Sequence, residues 1–302
     1  MRVRIFKNRF GELRSGWAIA AILLLIIVAQ GVGRSLVPEN DAGDNVFLIL
    51  GVSLVYGTIA IGGGLLLFKL LYRRNRRQLG LIPEGRAFDL LRGVGIGAVS
   101  MGLVFGILLF SGQAKTTLHV SKLLNPVILI NLASVSLTAF SEEFLVRGLM
   151  MTALKTTRSK WAILCTSSVL FSLVHLLNPW ATALSLMNTF LAGLLFAYMF
   201  IKSGKLWLPT GYHIAWNFLQ GDVFGMNVSG QAQWSAFGTS MGANVLLTGG
   251  NAGPEGGLVV TGILLLGALY VRYAIAPPKQ PHWTIDGDLP LVSSFSFKKP
   301  PM

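Results

Sequence analysis

Long apolar runs divide this chain, and their length leaves little choice of fold. A helix needs about 20 residues to cross the hydrocarbon of a bilayer, whereas a barrel strand needs only about 9–11 in an alternating pattern. Continuous runs of the first kind lie near residues 17–36, 46–71, 88–110, 127–154, 161–177, 181–201, 206–224 and 258–275. With 53% hydrophobic and 12% charged residues, the chain is too apolar for a soluble domain. The expected fold is all-α, a polytopic transmembrane helical bundle of about eight spans. One unit covers 1–276, with a core at 127–224, and a Pro-rich tail follows at 277–302.

The basic residues orient these spans. Arg2, Arg4, Lys7, Arg9 and Arg14 precede the first; Arg73, Arg74, Arg76 and Arg77 follow the second; Lys155, Arg158 and Lys160 follow the fourth; Lys202 and Lys205 follow the sixth. Arg272, Lys279, Lys298 and Lys299 close the chain. Basic charge thus marks every second junction, and the positive-inside rule makes both termini cytoplasmic, N-in and C-in. Glu39, Asp41, Asp44, Asp222 and Glu255 then belong to the outer side. The net charge of +13 suits an anionic cytoplasmic leaflet and calls for no nucleic acid. The run from Trp17 is read as a span rather than a cleaved leader, because it is long and lacks a small-x-small cleavage site. A single cysteine, Cys165, allows no intramolecular disulfide.

Against this background, two adjacent acids inside the fourth run, Glu142 and Glu143, are the main pointer to function. A carboxylate in hydrocarbon costs several kcal/mol unless water, a partner charge or protonation relieves it. Arg147 stands four residues after Glu143, on the same helix face, and the two can pair. Glu142 is turned about 100° away and is freer to face a cavity. Phe171 shares a face with His175 in the fifth run, and His213 shares one with Asn217 in the seventh. A lone buried His or Asn is as often a helix-packing residue as a catalyst. Together with the acids, these side chains contain the parts for amide hydrolysis: a carboxylate and an imidazole to deprotonate water, and an imidazole and a carboxamide to bind an oxyanion.

Glu142 and His175 lie at matching distances from the basic turn near Arg158, and so at similar depth in a hairpin. His213 is about 14 Å along its helix from Gly204, while Glu142 is about 24 Å from Arg158. Either the fourth hairpin projects beyond the bundle or the turn before the seventh span lies deeper. Both versions put the site nearer the cytoplasmic face. Gly93 with Gly97, and Gly193 with Ala197, read as close helix packing ahead of a dimer face. The segment 225–257 reads as one long outer loop.

The motifs Glu142-Glu143-x-x-x-Arg147, Phe171-x-x-x-His175 and His213-x-x-x-Asn217 occur in the order found in the CPBP family, the CAAX-protease and bacteriocin-processing intramembrane proteases. The chain resembles the bacterial members, relatives of the Ras-converting CAAX prenyl protease. What the resemblance implies is a glutamate-dependent hydrolase. Glu142 activates water with help from His175, His213 and Asn217 stabilise the tetrahedral intermediate, and Glu143 with Arg147 supports the site. It also implies an active site opening towards the cytoplasm, no cofactor, a bacterial inner membrane, and a membrane-associated peptide or protein substrate, lipidated or not. Zinc on the same residues is the second enzyme reading, weakened by the missing HExxH pair and by Asn217 as a poor ligand. Non-catalytic readings are a membrane scaffold, a bacteriocin-immunity protein, or a proton-coupled carrier. A carrier is expected to show repeats, and none is evident.

Overall fold

In a computed structural model, which describes residues 6, 13–38, 45–72 and 76–276, each apolar run forms a helix. These are α1 Ser15–Ser35, α2 Val46–Tyr72, α3 Arg86–Phe110, α4 Val127–Thr157, α5 Lys160–Leu177 and α6 Ala183–Ser203. Then come α7, residues 207–223, and α8, Leu258–Ala274. The first six are long and apolar enough to cross a membrane, whereas α8 is apolar but has 17 residues and α7 is short and carries polar groups. Most of the N-terminal basic stretch, Glu39, Asp41, Asp44, Arg73, Arg74 and the tail 277–302 lie outside the described residues.

Local signals start several helices where the sequence places them. Asn45, Ser159 and Thr182 each accept a backbone N–H at a helix start, and Thr182 with Ser185 forms a reciprocal capping box. Inside the helices, Ser134, Ser141, Ser167 and Ser168 return their hydroxyls to carbonyls one turn back, which satisfies them in an apolar setting.

Two apolar clusters fill the bundle. One gathers α1, α2, α5 and residues 144–154 of α4; the other gathers α3, α6, α7 and α8. Helix α6 serves both, with Ala197 and Phe200 on one side and Leu195, Phe196 and Met199 on the other. Between α3 and α7 the backbones nearly touch. A Cβ on Gly93 would overlap the Leu208 carbonyl, and one on Gly211 would overlap that of Leu90. Gly93 and Gly97 of α3 therefore serve close packing within the chain.

At the end of the bundle that carries the basic junctions, the core is sealed. Leu79, Ile82 and Leu206 are fully buried, Thr152 donates to the Gln78 carbonyl, and Leu206 N–H donates to the Gly80 carbonyl. The turn before α7 packs level with Gly148, so the α4–α5 hairpin extends beyond it. That removes the depth mismatch expected between Glu142 and His213. Glu142 is six residues from Gly148, and His213 is seven from Leu206.

The segment 225–257 is more structured than a plain loop. Its Phe237–Met241 strand, β2, pairs antiparallel with β1, Ala114–Leu118, which follows α3. Thr239 donates to Thr116 across the pair. Neither strand shows a hydrophobic alternation that would have announced it.

Candidate active site

Glu143 sits at the centre with no solvent exposure. Its Oε1 accepts from Arg147 Nη1 at 2.9 Å and from His213 Nδ1 at 3.0 Å. Arg147 is equally buried. Its Nη2 donates to the Gly193 carbonyl at 3.2 Å, and its guanidinium is flanked by the rings of Phe171 at 4.5 Å and Phe196 at 5.1 Å. Gly193 lies with its bare backbone against Ser168, so α5 and α6 pack closely beside the pair. Immediately after Glu143 the helix widens into a π-helical stretch, Phe144–Met150, a distortion that often accompanies functional sites.

His213 joins the two glutamates. With Nδ1 held by Glu143, its Nε2 points towards Glu142 Oε2 at 3.8 Å, and its ring stacks on Phe196 at 5.1 Å. The second histidine is fixed differently. His175 Nδ1 donates to the Phe171 carbonyl at 2.8 Å, which leaves Nε2 as the proton-accepting nitrogen of the neutral ring.

The two glutamates thus differ as their helix geometry predicts. Glu142 lines a cavity of about 780 Å³, while Glu143 lies beneath its wall. His175, His213 and Asn217 line the same cavity, and the Asn217 side chain forms no hydrogen bond among the described residues. All four proposed reacting side chains therefore face one space. A small recess of about 20 Å³ opens among Glu142, His175, Tyr56 and Gln30, enough for one water. Among the described residues, no three His, Cys, Asp or Glu side chains converge as a metal-holding group.

Several lining residues were not legible as site residues. Tyr56 of α2, Asn188 of α6, Asp222 of α7 and Glu255 of the loop all reach the cavity wall. Asn188, a carboxamide in an apolar run, was the available signal. It donates to the Glu255 and Gly257 carbonyls and accepts from Thr261, tying α6 to the loop and α8.

The position of the cavity mouth bears on the expected cytoplasmic opening. Its exposed rim consists of Arg34, Val37, Leu177, Pro179, Gln231 and Ala232, all at the end opposite the basic junctions. If those junctions are cytoplasmic, the mouth faces outward and not towards the cytoplasm. The reason is packing: residues 76–82 and the turn at 204–206 plug the other end.

Residues 124–219 match the family model of Rce1-like type II CAAX prenyl endopeptidases. Searches of curated proteins and of solved structures each returned no match. The matched segment is about a third of the chain, yet it runs from the start of α4 through both glutamates, both histidines and Asn217. Through that segment, the chain is similar to the Rce1-like CAAX prenyl endopeptidases, and its apolar helices are long enough for a membrane-embedded protein.

Proposed function

We propose that this protein is a glutamate-dependent intramembrane endopeptidase. Glu142 takes a proton from a water seated in the recess it shares with His175, whose free Nε2 assists. The water adds to the scissile carbonyl. His213, as an imidazolium whose Nδ1–H is held by Glu143, donates through Nε2–H to the oxyanion together with the Asn217 carboxamide, and a proton passed back from the Glu142–His175 pair releases the amine. Glu143 and Arg147 hold His213 in place, with Phe171 beneath the guanidinium. The observation that carries this reading is His213, clamped to the buried Glu143 by one ring nitrogen and facing the cavity carboxylate with the other.

No cofactor enters this scheme. A zinc ion would need a third convergent ligand, and Asn217 supplies a weak one. Purified protein assayed on lipidated and unlipidated peptides should cleave in strong chelator, with no stoichiometric zinc. Zinc bound one per chain and lost together with activity would reverse that choice.

The proposed setting is a bacterial cytoplasmic membrane, N-in and C-in, with a membrane-associated peptide or protein, lipidated or not, reaching the site from the outer side or from the bilayer. Reporter fusions after Lys160 should read cytoplasm and fusions within 225–257 should read the outer side. The opposite pair of readings would restore an inward mouth.

A further inference from the structure

The catalytic scheme leaves two buried acids of the cavity unused. Asp222 is 2% exposed and lines the wall, and its Oδ2 has no hydrogen-bond partner. Asn131 hydrogen-bonds the same carboxyl but leaves Oδ2 without a partner. Glu255 lines the same cavity and accepts the Ser229 N–H through Oε2 at 2.7 Å. Neither acid is paired with Lys or Arg among the described residues. Glu143, by contrast, has its own guanidinium.

An orphaned carboxylate oxygen in a cavity wall is costly unless a ligand donates to it. Among the described residues, the one lysine or arginine lining the cavity is Arg34, which sits on the rim and donates to Asn178. The interior is therefore acid-lined at Asp222 and Glu255, with no lysine or arginine beside them. We propose that Asp222 and Glu255 form a subsite for a lysine or arginine side chain of the substrate. This rests on the protease reading and deepens it by naming a substrate class.

Spacing locates that side chain. Asp222 lies nine residues beyond His213 and five beyond Asn217, about 13 Å and 7 Å along α7. An extended peptide advances about 3.3 Å per residue, so the basic residue sits roughly two to four positions from the scissile bond.

The test uses the full chain in nanodiscs and a set of apolar fluorogenic peptides, each with one lysine moved along the sequence, beside norleucine isosteres. Lysine at one position roughly two to four residues from the cut should raise kcat/KM about tenfold or more over norleucine, mainly through KM. Asp222→Asn should collapse that ratio to near one, and Glu255→Gln should reduce it. Cleavage of every peptide at rates indifferent to lysine, or an unchanged ratio in folded Asp222→Asn, would overturn the subsite and leave the protease reading intact. If no peptide is cleaved, the protease reading fails, and the subsite is judged from binding of the same peptides by fluorescence anisotropy. Equal affinity for lysine and norleucine peptides would then overturn it.

Discussion

Glu142 and Glu143 are neighbours in sequence and belong to different regions of the molecule. Around Glu143 the setting is dry and ion-paired: its Oε1 meets a guanidinium and an imidazole N–H, aromatic faces flank the cation, and a carbonyl takes another of its donors, while Glu143 Oε2 and Arg147 Nε are buried without a hydrogen-bond partner. Around Glu142 there is a recess, a cavity, and a histidine nitrogen too distant for a full hydrogen bond. A buried ion pair of the first kind contributes little net stability compared with an apolar replacement, but breaking it is expensive. An acid of the second kind is open to the cavity, where the proposed scheme places its base. The difference teaches that one helical step, about 100°, is enough to separate a buried ion pair from a carboxylate that lines a cavity.

The largest effect should come from Glu142→Gln, which keeps size and polarity and removes the base. Turnover should fall by about 10²–10⁴ while expression and melting temperature stay close to the parent. Folded, inert Glu143→Gln together with unstable Glu142→Gln would exchange the two roles. Parental cleavage rates in both variants would end the protease reading and move the scaffold reading to first place.

Next in size is the pair itself. Glu143→Gln leaves Arg147 buried without its anion, a loss that for buried pairs runs to about 3–5 kcal/mol, visible as a lower melting temperature in detergent. Combining it with Arg147→Met should recover part of that stability, because neither charge is then stranded. Activity should stay low, since His213 loses the acceptor that orients it. A double variant no more stable than Glu143→Gln would show that Arg147 matters through its stacking on Phe171 and Phe196 and not through its charge.

How much of this contrast was written in the sequence depends on how local it is. The Glu143–Arg147 pair is a spacing of four on one helix, and the orientation of Glu142 follows from the same geometry. The bond from His213 to Glu143 is different in kind. It depends on the depth of the turn before α7, which is set where Leu206 N–H meets the Gly80 carbonyl of the α2–α3 connection. No periodicity encodes a contact between two turns so far apart in the chain. The mouth of the cavity is non-local in the same way: distances measured from the basic turns set the depth of the reacting groups, but which end is plugged is decided by residues 76–82. Asp222 and Glu255 read as ordinary loop-side acids until α7 and the loop were brought to one wall.

Asn217 sharpens the comparison from the cavity side. Asn217→Ala removes one proposed oxyanion donor from a side chain that bonds to nothing else among the described residues. The cost should fall on kcat, about 10²-fold, with melting unchanged. A fall in stability without a change in kcat would make it a packing residue instead.

The smallest effect concerns Glu255, an acid outside the membrane-spanning helices. Burial pushes its carboxyl up from the ordinary range to about 7, opposed by the Ser229 N–H that donates to it. A carboxyl whose folded pKa lies above its unfolded one binds more protons in the folded protein than in the unfolded chain. Stability therefore declines as pH rises from about 4.5 towards 7 and levels off above that range. Each tenfold change in proton affinity corresponds to about 1.4 kcal/mol, so the whole change is at most about 3 kcal/mol, and less where cavity water reaches the group. Glu255→Gln removes the titration, so the gap in melting temperature between variant and parent should shift in the variant's favour from pH 5 to pH 8. Glu143→Gln should show no such convergence, because it leaves the Glu255 titration in place in both proteins. A gap for Glu255→Gln that stays constant with pH would mean that the carboxylate is already stabilised in the cavity wall, and the contrast between paired and unpaired acids would lose its second example.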